Sequence, residues 1–435
     1  MFLLIRPMKT PMAVLLAGMV WAAASLQAKS LDEVRAEAER GEAAAQFALG
    51  MKYLNGDGIA EDDTEAVKWF QKAVAQGHAD AQRRLGMCYL LGLGVPQDAV
   101  EAVKWLRLAA AQNQVAAMKQ LGACFSLGSG VPKDLVEGMR WFRQAAERGD
   151  ADAQLELGMA YFEGEGVTQD AAEAMKWFRK AAEQGDINAQ KILATTCAQG
   201  QRVPQDLAEA AKWFRKAAEQ GDAEAQMKLG LAHSLGAGVT LDLKEAQQWL
   251  HKAAAQDYAP AQLEMGVSYM LGSGVPVDAA EGVKWFRKAA ELGDAEAQTK
   301  LASAYINGTG VERNVAEAAG WFRKAAEQNF APAQVGLGGC YLSGEGVPQD
   351  VAEAVKLFRT TAERGDPSGQ FALSLQYERG EGAEKNLVEA LKWCRLASAQ
   401  GHQIAELHQT TLEATMTRED IIQAVRLARE WKPLK

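Results

Sequence analysis

Cysteine is scarce in this 435-residue sequence. Only Cys88, Cys124, Cys197, Cys340 and Cys394 are present, and so thin and odd a set excludes a disulfide-stapled scaffold. Other absences bear on chemistry. No Gly-x-Ser-x-Gly elbow occurs and no serine stands three residues before a lysine, which removes the usual nucleophiles of serine hydrolases and penicillin-recognising enzymes. The histidines, His78, His233, His251, His402 and His408, have no His-Glu-x-x-His or Cys-x-x-Cys companion, so no metal centre is expected. No catalytic residue and no cofactor is assigned. An excess of basic residues is missing too: 47 lysines and arginines face 56 aspartates and glutamates, a formal net charge of −9. That field repels phosphate backbones and argues against a nucleic-acid partner.

What the sequence does contain is self-similarity. Trp69, Trp105, Trp141, Trp177, Trp213, Trp249, Trp285, Trp321 and Trp393 share one 36-residue frame, which only Leu357 interrupts. A fixed period of this size marks an array of stacked repeats with a continuous core. One elongated domain is therefore expected in place of two or three globular ones.

Ten copies fill residues 41–400. Each opens with a short helix in the pattern of Ala45, Leu49 and Tyr53, spaced i, i+4, i+8 to form one apolar stripe. Two loop glycines follow, as at Gly56 and Gly58, suited to backbone angles that side chains disfavour. Recurring between helices, they do not read as a nucleotide-binding loop, which needs a preceding strand. A second helix starts with Asp62-x-x-Glu65, and Asp or Asn followed three residues later by Glu recurs in every copy. These acids read as helix caps in the manner of a capping box, not as catalysts. Ala66, Phe70 and Ala73 form the buried line, Trp69 fills the gap beside it, and cations such as Arg215 and Lys216 keep the far face in water. Gly77 and its equivalents, replaced by Asn113, Asp257 and Asn329, suit a left-handed cap.

The tryptophans are the structural anchors of this reading. Two short helices bury too little alone, and one indole of ~200 Å² offers on the order of 5 kcal/mol at ~25 cal/mol per Å². Cys88, Cys124 and Cys340 share a column that elsewhere holds Ala160, Thr196, Ala232, Ser268 and Ala304, so it selects small side chains. Packed helices lie ~8–10 Å apart, beyond the ~7 Å that a disulfide spans, so Cys88 and Cys124 are not expected to bridge. Residues 29–40 read as an N-terminal half-repeat helix opening on Ser30-x-x-Glu33. Residues 401–435 read as a decayed repeat and a capping helix, Thr417 to Trp431, with Ile421, Val425 and Ala428 on its core side. Residues 1–28 read as an export signal, with basic Arg6 and Lys9, an apolar stretch from Met12 to Ala24 and small residues to Ala28. The array is then periplasmic or secreted, and meets the membrane only where the leader stays as an uncleaved anchor.

The pattern "AxAQxxLGxxYxxGxGVxxDxxEAxKWFRKAAEQGD" resembles the Sel1-like repeat, a relative of the tetratricopeptide repeat. The resemblance implies an all-α fold, a right-handed superhelical solenoid of antiparallel helix pairs whose first helices line the concave side. It also implies an adaptor that holds proteins together. Some cysteine-rich exported relatives are credited with penicillin binding or β-lactam hydrolysis, but their paired cysteines are absent here. One row of the first helix is left unassigned by the apolar stripe and varies in charge: Arg84, Gln120, Glu156, Lys228, Glu264 and Lys300. It is the candidate binding row for a protein or extended peptide. An adaptor is the reading preferred, ahead of a β-lactam or cell-wall peptide hydrolase and of a periplasmic regulator of a membrane signalling protein. Repeat five, with Thr195, Thr196, Cys197 and Arg202, departs most from the pattern.

Overall fold

The computed structural model describes residues 29–433, so the expected leader at 1–28 lies outside the described residues. Within them are 23 helices and no strand, arranged as an all-α repeat fold of antiparallel helix pairs. Packing divides the chain into two compact units that meet in sequence at Gln205 and Asp206. One elongated domain was the expectation; the division falls inside repeat five, where the aromatic column holds Cys197 and the loop glycine is replaced by Arg202 at φ 63°.

Capping explains why each helix starts and stops where it does. Asp62, Asp98, Asp134 and their equivalents through Asn386 each accept the backbone N–H of the glutamate three residues on. Among the described residues a reciprocal capping box forms only at Ser30 and Glu33. In the repeats the cap residue's own N–H donates instead to the aromatic-column carbonyl of the preceding helix, as Asp62 does to Tyr53 and Asp98 to Tyr89. The glutamates thus released pair with cations three residues on, such as Glu65 with Lys68 at 2.9 Å. Left-handed caps close the second helices at Asn113, Asp257 and Asn329, as the sequence predicts.

The second loop glycine has a cause beyond its φ. A Cβ on Gly94 would lie 2.1 Å from the Asp63 carbonyl oxygen, and one on Gly310 2.2 Å from that of Ala279. Each loop therefore presses its backbone against the start of the preceding repeat's second helix. Gly58, which has only a half-repeat before it, meets nothing within 4 Å.

The indoles lie between neighbouring helices. Trp69 packs with Val34, Ala38, Ala45 and Leu49, Trp177 with Ala145, Ala146 and Leu157, and Trp285 with Leu250, Ala254 and Met265. The cations do more than face water, however. Lys72, Lys180, Lys252 and Lys324 sit 3.6–3.9 Å over the rings of Trp69, Trp177, Trp249 and Trp321, because a residue three positions on lies above the same helix face. Trp105 and Trp141, followed at that spacing by Leu108 and Gln144, remain only half-buried.

A polar ladder runs through this apolar core. Gln46, Gln154, Gln226, Gln298 and Gln370 are buried beside the stripe, and each donates to a carbonyl eight residues earlier. In turn Gln76 donates to Gln46, Gln184 to Gln154, Gln256 to Gln226 and Gln328 to Gln298 at 2.8–3.0 Å. Two successive repeats are thereby joined by directional bonds as well as by burial. Leu292 and Arg364 stand where the next glutamines would be, and the Oε1 atoms of Gln262 and Gln334 find no protein donor.

The final helix spans Arg418–Glu430. Its buried residue is Ala424, which packs with Ile421 against Ala390, Leu391 and Leu412, while Val425 and Ala428 on the same face are half-buried. Trp431 then meets Trp393 edge-on at 5.7 Å, covering the last indole of the array.

Candidate functional site

Each first helix has two sides committed to packing. One carries glycines that admit the bulky residue of its own second helix: a Cβ on Gly50 would lie 2.6 Å from the Phe70 ring, and one on Gly158 2.5 Å from Phe178. The other carries the buried glutamines. What remains is the side bearing Arg84 and its equivalents, together with the neighbouring column of Arg83, Lys119, Leu155 and Thr299, in which Met227 and Leu263 are buried in the core.

The candidate row is not one uniform stripe. Glu156 and Lys228 are exposed, whereas Arg84, Gln120, Glu264 and Lys300 are half-buried. The reason shows at Gly336, the same row one repeat beyond Lys300, where a Cβ would lie 2.6 Å from the Phe322 ring of the preceding second helix. Side-chain stems in this row lie against the previous repeat and only their ends reach solvent. The Nε of Arg84 and the Oε1 of Gln120 are shielded and have no protein partner.

In the second unit the row borders an open groove of about 420 Å³. Met270, Phe286 and Ala304 form its apolar floor, and Thr299, Lys300, Ser303 and Asn307 supply polar groups along it. Lys300 lies 3.2 Å from Glu296. Burial pushes the Glu264 carboxyl above the usual carboxylate range; Glu296 adds to the rise and Lys300 opposes it. An apolar floor with donors and acceptors at its margins suits a side chain of a docked peptide.

In the first unit, repeat two makes this side locally basic. Arg83 and Arg84 are adjacent on the helix Ala79–Leu91, half-buried, each with a shielded Nε that lacks a protein partner, and neither is paired with a carboxylate. Arg84 belongs to the row that the sequence singles out; Arg83 does not.

His233, which stands in the aromatic column, is buried and also polar in its contacts. Its Nδ1 lies 3.2 Å from the Thr240 carbonyl and its Nε2 2.9 Å from Arg215, which bonds Glu245 at 3.0 Å. Nε2 also lies 3.3 Å from the Glu245 carboxylate, so ring, guanidinium and carboxylate form one cluster. His78 and His402 cap first helices by accepting an N–H at Nδ1, a role the sequence reading missed. Among the described residues no cluster of His, Cys, Asp or Glu is arranged to hold a metal ion. The cysteines are buried, and burial pushes the Cys88 and Cys394 thiols up to about 11, far from a nucleophilic thiolate at neutral pH. Among the described residues no helix is long and apolar enough to cross a membrane.

Stacked helix pairs of one fixed length, tied by indoles and glutamines, define a helical repeat protein. The Sel1 repeat model matches ten consecutive segments, residues 43–78, 79–114, 115–150, 151–186, 187–222, 223–258, 259–294, 295–330, 331–366 and 367–402, and the chain belongs to the Sel1 repeat family, whose members are commonly protein-interaction scaffolds. Among solved structures it is similar to c5321, a protective antigen of uropathogenic Escherichia coli strains with an SLR fold, at 33% identity over 92% of this chain and 94% of that one, TM-score 0.62. It is also similar to a Sel1 repeat protein from Oxalobacter formigenes, at 28% identity over 81% of this chain and 94% of that one, TM-score 0.60. No curated protein matches the chain.

Proposed function

We propose that this protein is an exported, non-catalytic adaptor that binds a partner protein, or an extended peptide of it, along the first-helix side of its repeats. The observation that carries the reading is the uneven polarity of that side. It holds half-buried polar groups without protein partners at Arg83, Arg84 and Gln120, and a groove with an apolar floor beside Lys300. The outer cations of the second helices are engaged instead, by glutamates or by indole faces. Export rests on the pattern of Arg6, Lys9 and the apolar stretch from Met12 to Ala24. Affinity capture from an envelope extract, with the array as bait, tests the adaptor role. A partner is expected whose retention falls when Glu156 and Lys228 are replaced by alanine together with Arg84; no partner, or one indifferent to these changes, overturns the reading. Amino-terminal sequencing of the mature chain tests export, with a start at Lys29 or Ser25 expected.

A further inference from the structure

We infer that Arg83 and Arg84 are a receptor for carboxylate side chains in an acidic stretch of the partner, an inference that rests on the adaptor reading above. The array supplies its own control. One repeat further on, Lys119 occupies the position of Arg83 and bonds two carboxylates of the following repeat, Asp152 and, at 3.3 Å, Asp150. In the register of Arg83 those two positions are Gln114 and Ala116. The carboxylates that would neutralise a cation here are replaced by neutral residues, while the cation is kept and a second one, Arg84, is set beside it. Asp80, whose charge partly offsets the effect of burial on Arg83, accepts from the Gln114 amide at 2.9 Å and forms no ion pair with either arginine. Gln114 in turn uses its oxygen to cap Ala117 at 2.8 Å, so its side chain is fully engaged.

Two adjacent guanidiniums repel each other and, being half-buried, are incompletely hydrated; burial and the Arg84 charge both pull Arg83 below the usual arginine range. A planar carboxylate matches the guanidinium fork, which makes arginine better suited than lysine to such a task. Phosphate polymers fit less well, because the chain as a whole carries −9 and repels a continuous polyanion, whereas a short acidic run presents few charges at once. The partner segment is therefore an extended peptide with spaced Asp or Glu.

The test uses the full mature chain and fluorescence anisotropy with three labelled probes: an alternating Glu-Ala dodecapeptide, its Gln-Ala counterpart, and an oligothymidylate. Binding is expected for Glu-Ala, weakened at least about tenfold with Gln-Ala or in Arg83→Gln/Arg84→Gln. The second variant, Ala116→Asp, keeps both arginines and restores the internal carboxylate in the Asp152 register. An acid in the first helical turn also suits the helix, so the variant is expected to melt no lower than the parent while losing the Glu-Ala probe. Equal binding of Gln-Ala, undiminished binding by Ala116→Asp, or preference for oligothymidylate overturns the inference. Capture of a partner that ignores Ala116→Asp overturns this site and leaves the adaptor role standing. Failure of all capture, with the peptide results as expected, does the reverse.

Discussion

Gly369→Ala is expected to destabilise the protein although it replaces a glycine in the first turn of a helix by the best helix former. The Cβ would lie 1.9 Å from the Thr361 Oγ1 and 2.6 Å from its Cβ. Thr361 is fully buried, and its hydroxyl donates to the backbone at Leu357 or Phe358, so it has no rotamer to retreat to without loss. Elsewhere the two positions are both alanine, as in Ala73 with Ala81, Ala253 with Ala261 and Ala397 with Ala405. The threonine's extra volume is accommodated by the glycine's missing methyl. Overpacking costs ~1–3 kcal/mol, against at most about 1 kcal/mol gained from helix propensity, for a net loss of up to about 2 kcal/mol. Thr361→Ala in the same chain restores the common pair, and the double variant should equal or exceed the parent, a coupling of ~2–3 kcal/mol. Hydrogen exchange of the amides in Val351–Glu363 and Pro367–Arg379 reads this locally, which matters because a repeat array need not unfold in one step. A stable Gly369→Ala, or a double variant no better than the single one, refutes the reasoning.

The other expectations are briefer. Trp285→Ala should cost ~3–5 kcal/mol, with faster hydrogen exchange concentrated in the flanking repeats; uniform acceleration through residues 206–433 would contradict nearest-neighbour packing. Leu292→Gln should give the Gln262 Oε1 its missing donor and add about 1 kcal/mol in chemical denaturation, whereas an unchanged midpoint would show that the ladder does not extend by this register. Cys88 and Cys394 should resist alkylation in the folded protein at pH 8 and react on unfolding. Their thiols are raised from 9.0 to about 11, so the stability they contribute is full below pH 9 and drains as pH climbs toward 11; a denaturation midpoint flat across that interval would contradict the burial.

The repeat frame, the loop glycines, the left-handed Asn113, Asp257 and Asn329 and the small-residue cysteine column were legible in the sequence because each is a local, period-bound requirement. The glutamine ladder was not read, although its residues stand in the repeat pattern, because hydropathy treats an amide beside an apolar stripe as surface. The one-sided caps escaped for a related reason: which group answers the cap residue's N–H depends on the preceding helix. Arg84 was selected for its row, but its significance and that of Arg83 appear only in the register between repeats, where Gln114 and Ala116 replace acids. That Ala424 is the buried residue of the final helix likewise follows from packing on Ala390 and Leu391, which the helix's own pattern does not encode.

The account centres on which side of the repeats meets a partner. A photo-reactive residue placed at Glu156 or Lys228, on first helices, and in parallel at Lys176 or Lys284, on second helices, puts the question directly in cells. Covalent adducts to a partner protein from positions 156 and 228, with none from 176 and 284, are the predicted result. Adducts arising from the second-helix positions, or from neither set, contradict it.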